Sequence, residues 1–237
     1  MTQRMSQIRI RLESMAERKN AEFSGSLGIG NAYPLLGVRI PQLRALGREL
    51  ASREDWREVL ENEEILSCST FEEVLLHAFI IGYAKMDVDE RIERLYGYVN
   101  LVNDWALCDC AVSTLKFKPR DYDKVWNLAV GLLRSHEEFR VRFGAVLVLS
   151  CLKSRERLDV LLKELSRADT SAFYAMMAVA WACAELFKLD NDRVLAFLAE
   201  RNFDLQTTRR AFSKICDSRT TSDAYREKIK ALRTTLK

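Results

Sequence analysis

The feature that most constrains this chain is the recurrence of apolar residues at helical spacing with little to interrupt it. Val125, Leu128, Ala129, Leu132 and Leu133 follow the i, i+3, i+4, i+7 pattern of one buried helix face. Similar stripes run through 41–50, 55–66, 71–84, 88–99, 105–115, 137–152, 155–166, 172–187, 191–200, 206–216 and 222–235. Three prolines and nine glycines among 237 residues are too few for a turn-rich β protein of this size. No Asn-Gly or Asp-Gly pair separates alternating apolar runs, the strongest local hairpin signal. Thr70-x-x-Glu73, Asp87-x-x-Glu90 and Ser135-x-x-Glu138 read as boxes that start helices. Connectors of only a few residues make successive helices antiparallel neighbours.

Helix pairs recurring every ~35–45 residues are the period of HEAT and armadillo-type arrays. The spacing therefore predicts an all-α fold: a right-handed α-α superhelix, or solenoid, of HEAT-like antiparallel helix pairs forming a single domain over 1–237. No crisp repeat consensus is visible, so a compact helical bundle is the alternative. Residues 24–37 interrupt the pattern with Gly25, Gly28, Gly30, Pro34 and Gly37. They predict a loop before a helix that starts near Pro41, a favoured first-turn position. Gly28-x-Gly30 has no preceding strand and lacks a third glycine, so it does not make a dinucleotide fingerprint.

About half the residues are apolar and under a third are charged, as in an ordinary globular protein. The formal charge of +3 permits a nucleic-acid partner without demanding one, because a local basic stripe matters more. Cys68, Cys108, Cys110, Cys151, Cys183 and Cys216 form no C-x-x-C pair and lie mostly in apolar runs. They read as reduced core thiols of a cytoplasmic protein, with no metal site. The first residues carry Arg4, Arg9 and Arg11 with no apolar h-region, unlike a secretory signal. The uncharged run from Phe173 to Ala184 falls short of the ~18 residues a membrane span needs. His77 sits in an apolar run and His136 in an expected helix first turn, and neither belongs to a nucleophile–base arrangement.

Trp105 and Asp109 are four apart, so on a helix they share a face. A carboxylate beside an indole suits a cation or a developing positive charge. Equally, Trp105 reads as core and Asp109 as a cap or an arginine partner. Trp181 lies in a run apolar on all sides. Arg140 and Arg142 precede the apolar helix Ala145 to Leu152, a placement that suits phosphate contacts or a solvated face. Basic clusters occur at Lys116, Lys118 and Arg120; at Lys153, Arg155 and Arg157; and at Arg209, Arg210, Lys214 and Arg219. In a solenoid, equivalent repeat ends line one edge, where such clusters build a phosphate track.

Tyr33-Pro34-Leu35-Leu36-Gly37-Val38-Arg39-Ile40-Pro41-Gln42-Leu43-Arg44 resembles the N-terminal signature of the DNA alkylation repair (AlkD-like) family. Trp105-x-x-x-Asp109, Phe139-x-x-Arg142, Met177-Ala178-Val179-Ala180-Trp181 and Arg209-Arg210-Ala211-Phe212-Ser213-Lys214 resemble its later blocks in the right order. The resemblance implies a monomeric glycosylase that needs no cofactor and excises cationic N3- and N7-alkylated purines from double-stranded DNA. It places Asp109 as the catalytic carboxylate, Trp105 and Trp181 as cleft tryptophans, and Arg142 as the cleft arginine. Arg44, Lys116, Arg140, Lys153 and Arg155 are the expected contacts to the DNA backbone. One position departs from the pattern: the family arginine three residues after the second tryptophan is Ala184 here. The two other readings are a non-catalytic binder of damaged or branched DNA and a HEAT-like protein-interaction scaffold.

Overall fold

The computed structural model describes residues 3–61 and 70–235, which are helical with no strand among them. The chain divides into two compact units, Met1–Lys116 and Phe117–Lys237. The first holds α1 (Gln3–Ser14), α2 (Arg18–Ser26), α3 (Ile40–Ala51), α4 (Trp56–Leu60), α5 (Phe71–Tyr83), α6 (Val88–Val99) and α7 (Trp105–Val112). The second opens with a 3₁₀ turn at Pro119–Asp121. Then come α8 (Tyr122–Leu133), α9 (Glu138–Leu147), which runs into a π turn over Val148–Leu152, and α10 (Leu158–Leu165). They are followed by α11 (Phe173–Phe187), α12 (Asn191–Ala199), α13 (Leu205–Asp217) and α14 (Asp223–Thr235).

Each unit is solenoid-like. In the first, α5 packs between α3 and α7, with α6 behind it; in the second, α11 packs between α9 and α13, with α12 behind it. The central helices explain themselves. Along α5 nearly every residue from Phe71 to Ile81 is buried, and most of α11 likewise. A helix that is apolar all round belongs at the centre of a layer. The repeat period also shows in polar contacts between neighbouring repeats. Arg57 bonds Glu90, Arg134 bonds Glu164, Arg155 bonds Asp190 and Lys228 bonds Asp192, at sequence separations of 33, 30, 35 and 36.

Two of the three expected helix starts are built as read. The Thr70 N–H donates to Glu73 at 2.8 Å, and Asp87 accepts from the Glu90 N–H at 2.8 Å. The third is corrected: α9 starts at Glu138, and the Ser135 hydroxyl accepts from the Glu137 N–H, outside the helix. Glu138 instead reaches the Tyr174 N–H at 2.6 Å and ties α9 to the start of α11. His136 accordingly lies ahead of the helix and contacts Asp169 at 3.0 Å. Helices α1 and α2 were not expected, because charges interrupt their stripes. In α1 only Ile8 and Leu12 are buried among the residues whose exposure is described. Cys68 and the last part of the expected 55–66 helix lie outside the described residues.

The α8–α9 approach requires a missing side chain. A Cβ on Gly144 would lie 2.8 Å from the Ala129 carbonyl oxygen and 2.9 Å from the Leu133 nitrogen, both backbone atoms that cannot rotate away. Gly144→Ala should therefore cost about 1–3 kcal/mol despite better helix propensity. Urea unfolding measures it, and an unchanged midpoint would refute the close approach.

His77 gives the first unit a pH dependence. Its ring meets Tyr98 edge-on at 6.1 Å, and its Nδ1 has no hydrogen-bond partner among the described residues. Burial, reinforced by Arg94, lowers its pKa to about 4, against about 6.5 for a free imidazole. Between these values the unfolded chain takes up a proton that the folded protein does not, so this contribution is complete above about 6.5 and disappears towards 4. The urea midpoint should fall across that window, and less steeply for His77→Leu. Equal slopes would assign the effect to other groups.

Candidate functional site

The glycine-bearing segment after α2 is a strap pinned to the first unit. Glu72, only 2 % exposed, accepts the N–H groups of Leu36 at 3.0 Å, Gly37 at 2.6 Å and Val38 at 3.2 Å. Gly37 has φ +92 and its carbonyl accepts from Glu17 N–H and the Asn20 amide, so α2 docks on the same residue. Further back, Gly30 (φ +87) donates its N–H to Asp104 at 3.0 Å, while the other Asp104 oxygen caps α7 through the Ala106 N–H at 2.7 Å. The Tyr33 hydroxyl donates to the Leu101 carbonyl at 3.3 Å, and the Trp105 indole N–H to the Leu27 carbonyl at 3.4 Å. The strap thus fixes both the start of α7 and the orientation of its first side chain.

On α7, Trp105 and Asp109 lie one helical turn apart and are both half-exposed. The next turn brings Ser113, the helix end, whose hydroxyl accepts from Arg44 at 2.6 Å. Arg44 also donates to the Tyr83 hydroxyl at 3.0 Å and lies over Phe79, 4.8 Å from the ring centroid. Arg44 is therefore braced across α3, α5 and α7 beside the Asp109 turn. Cys110 lies in the same place. Burial pushes its thiol up, only partly opposed by Arg44, so it is a poor nucleophile at neutral pH. Lys116 is exposed just past this end.

In the second unit Trp181 is half-buried rather than part of the core. Glu185 is four residues on, with the spacing that separates Asp109 from Trp105. Burial opposes ionisation of Glu185, but hydrogen bonds from Lys188 and Lys153 outweigh it and hold the carboxyl below its usual range. Lys153 reaches Glu185 at 3.3 Å, and Arg155 pairs with Asp190 at 3.1 Å. Ala184, where the family pattern has an arginine, is 5 % exposed.

Arg142 is 6 % exposed and donates to the Tyr174 carbonyl at 3.2 Å. Phe139 stacks on Tyr174 with centroids 5.5 Å apart, and Glu138 takes the Tyr174 N–H. The Phe139-x-x-Arg142 segment thus clamps the start of α11. Arg140 is half-buried against Glu137 at 3.1 Å. Sequence reading singled out these side chains but not Glu72, Asp104 or Tyr174, which hold the segments in place. Their signals are weak, since a single Glu within a helix start looks like any first-turn acid.

No group of three or more His, Cys, Asp or Glu among the described residues is arranged to hold a metal, and no helix there is long and apolar enough to cross a membrane. The class so defined is an all-α protein of stacked helix pairs with an indole and a carboxylate on one half-exposed helix face. The family model for DNA alkylation repair enzymes matches residues 8–215, and the chain belongs to that family. Comparison with curated proteins and with solved structures gave no match. Family membership makes DNA the partner.

The Glu72 anchor is testable. Glu72→Gln puts an amide N–H against backbone donors and removes charge-assisted bonds, so it should destabilise the protein by about 3 kcal/mol. Calorimetry reads the shift; a melting temperature within a degree of the native value would show that the strap does not depend on this carboxylate.

Proposed function

We propose that the protein is an alkylpurine DNA glycosylase acting on duplex DNA, with Asp109 as its catalytic carboxylate and Trp105 beside it. The observation that carries this reading is the α7 face, where an indole fixed by the Leu27 carbonyl stands one turn from a half-exposed carboxylate. An N3- or N7-alkylated purine is already cationic, so it leaves with the bonding pair and without strong acid assistance. The sugar becomes oxocarbenium-like, and a nearby carboxylate stabilises it and orients the water that adds to the anomeric carbon. The indole face contributes cation–π attraction to the charged base.

The remaining roles follow from what holds each side chain. Trp181 presents a second half-exposed indole in its own unit. Lys153 and Arg155 exchange their carboxylate partners for phosphates at small cost, because exposed ion pairs are worth ~0–1 kcal/mol. Lys116 is exposed and ready for such contact. Arg44 and Arg140 act beside their present partners. Arg142 holds α9 on α11 and offers DNA only its edge.

Asp109→Asn should lower release of 7-methylguanine and 3-methyladenine from methylated duplex DNA by about 100-fold or more, with melting temperature and DNA affinity nearly unchanged. Base release that survives the substitution removes Asp109 from the chemistry. Salt-dependent duplex binding with no release by the native protein would instead make it a non-catalytic DNA binder.

A further inference from the structure

The first unit has an open cavity of about 520 Å³ lined by Arg48, Ser52, Arg53, Trp56, Tyr83 and Lys85, with no acidic side chain in its wall among the described residues. Its charges differ in kind. Arg53 is neutralised by a two-pronged bond to Asp55, both contacts 2.9 Å. Arg48 and Lys85 are exposed and have no acidic partner among the described residues. For Arg48 this is exceptional. Arg9, Arg11, Arg18, Arg39, Arg44, Arg57, Arg91 and Arg94 each donate to an acceptor within the unit. Among the described residues Arg48 has only the face of Tyr83, its guanidinium 4.8 Å from the ring centroid. Stacking holds the guanidinium extended and leaves its N–H fork unused, which is the geometry that suits a phosphate.

Hydrogen bonds link the cavity wall to the α7 site. Arg44 lies one turn before Arg48 on α3, and it joins the Tyr83 hydroxyl to Ser113, one turn beyond Asp109. The Tyr83 hydroxyl accepts from Arg44, so its own proton stays available for an anion. From this geometry we propose that Arg48, Lys85 and Tyr83 form a phosphodiester clamp that grips the DNA backbone flanking the nucleotide at Trp105 and Asp109. The inference rests on reading the chain as a DNA-binding protein. An open cavity with an aromatic wall and two cations that have no acidic partner among the described residues suits a diester with its sugars attached.

The experiment is a salt series of duplex binding by fluorescence anisotropy on the full chain, with Arg48→Gln/Lys85→Gln as the double variant and Arg53→Gln as the control. The double variant should bind about tenfold more weakly at moderate salt and lose about one unit of log–log salt slope, equally for different sequences. Arg53→Gln should leave the slope unchanged, because Asp55 already compensates that charge. Native-like affinity and slope in the double variant would overturn the clamp while leaving DNA binding intact. An equal loss in Arg53→Gln would also overturn it, as a general charge effect. Absence of salt-dependent binding by the native protein would overturn the DNA reading itself, and the clamp with it. Calorimetric titration with inorganic phosphate and with a mononucleotide separates the sources. Micromolar binding of either, lost in the double variant, would give the cavity to a free phosphomonoester instead of the backbone.

Discussion

Three backbone N–H groups converging on one buried carboxylate carry much of the first unit. Without a partner, those donors and the Glu72 charge would each be costly to bury. Together they satisfy one another, and the satisfaction is positional. Because Glu72 lies in the first turn of α5, the bonds set where the strap crosses that helix. From there the strap runs back to Gly30 and Leu27 and forward into α3, so the α7 start and the Arg44 helix are registered against one anchor. Only a residue tolerating φ +92 fits at Gly37, where a Cβ would also meet the Glu17 carbonyl oxygen at 2.3 Å.

The second unit solves the same problem with a different group. Tyr174 offers its N–H to Glu138, its carbonyl to Arg142 and its ring to Phe139. One residue at the head of α11 thereby fixes the facing helix on three counts. In the first unit a carboxylate in a helix start takes the strap N–H groups, and in the second a helix-start N–H, which lacks an intrahelical partner, is taken by a carboxylate from α9. Apolar layers alone permit helices to slide. The polar contacts between neighbouring repeats set their register.

The all-α class and most helix positions were legible because apolar periodicity is strong and proline and glycine are scarce. Pro41 marked α3 within a residue, and Thr70 and Asp87 marked α5 and α6 by capping chemistry that is local in sequence. The Ser135 box failed because Glu138 has a better partner in Tyr174, 36 residues away, which no local pattern reveals. Helices α1 and α2 escaped because their alternating charges blur the apolar stripe. At the candidate site, the Trp105–Asp109 spacing was readable as a shared face. What holds Trp105 was not, because Leu27 acts through its carbonyl, an atom every residue possesses. The segment at 24–37 read as loop only, yet residues 24–26 end α2, and the part beyond is pinned by Asp104, Trp105 and Glu72.

The pairing of basic with acidic side chains along the second unit has one more consequence. Lys153 and Arg155 are occupied by Glu185 and Asp190 before any polyanion arrives. These carboxylates are tethered, so they act as resident competitors at high effective concentration. Each of these pairs is exposed and weak, so swapping one carboxylate for one phosphate changes little either way, and a polyanion gains only by engaging several cations together. A chain with nearly balanced charge can in this way stay indifferent to stray anions while keeping its cations in reserve for a ligand long enough to displace their partners.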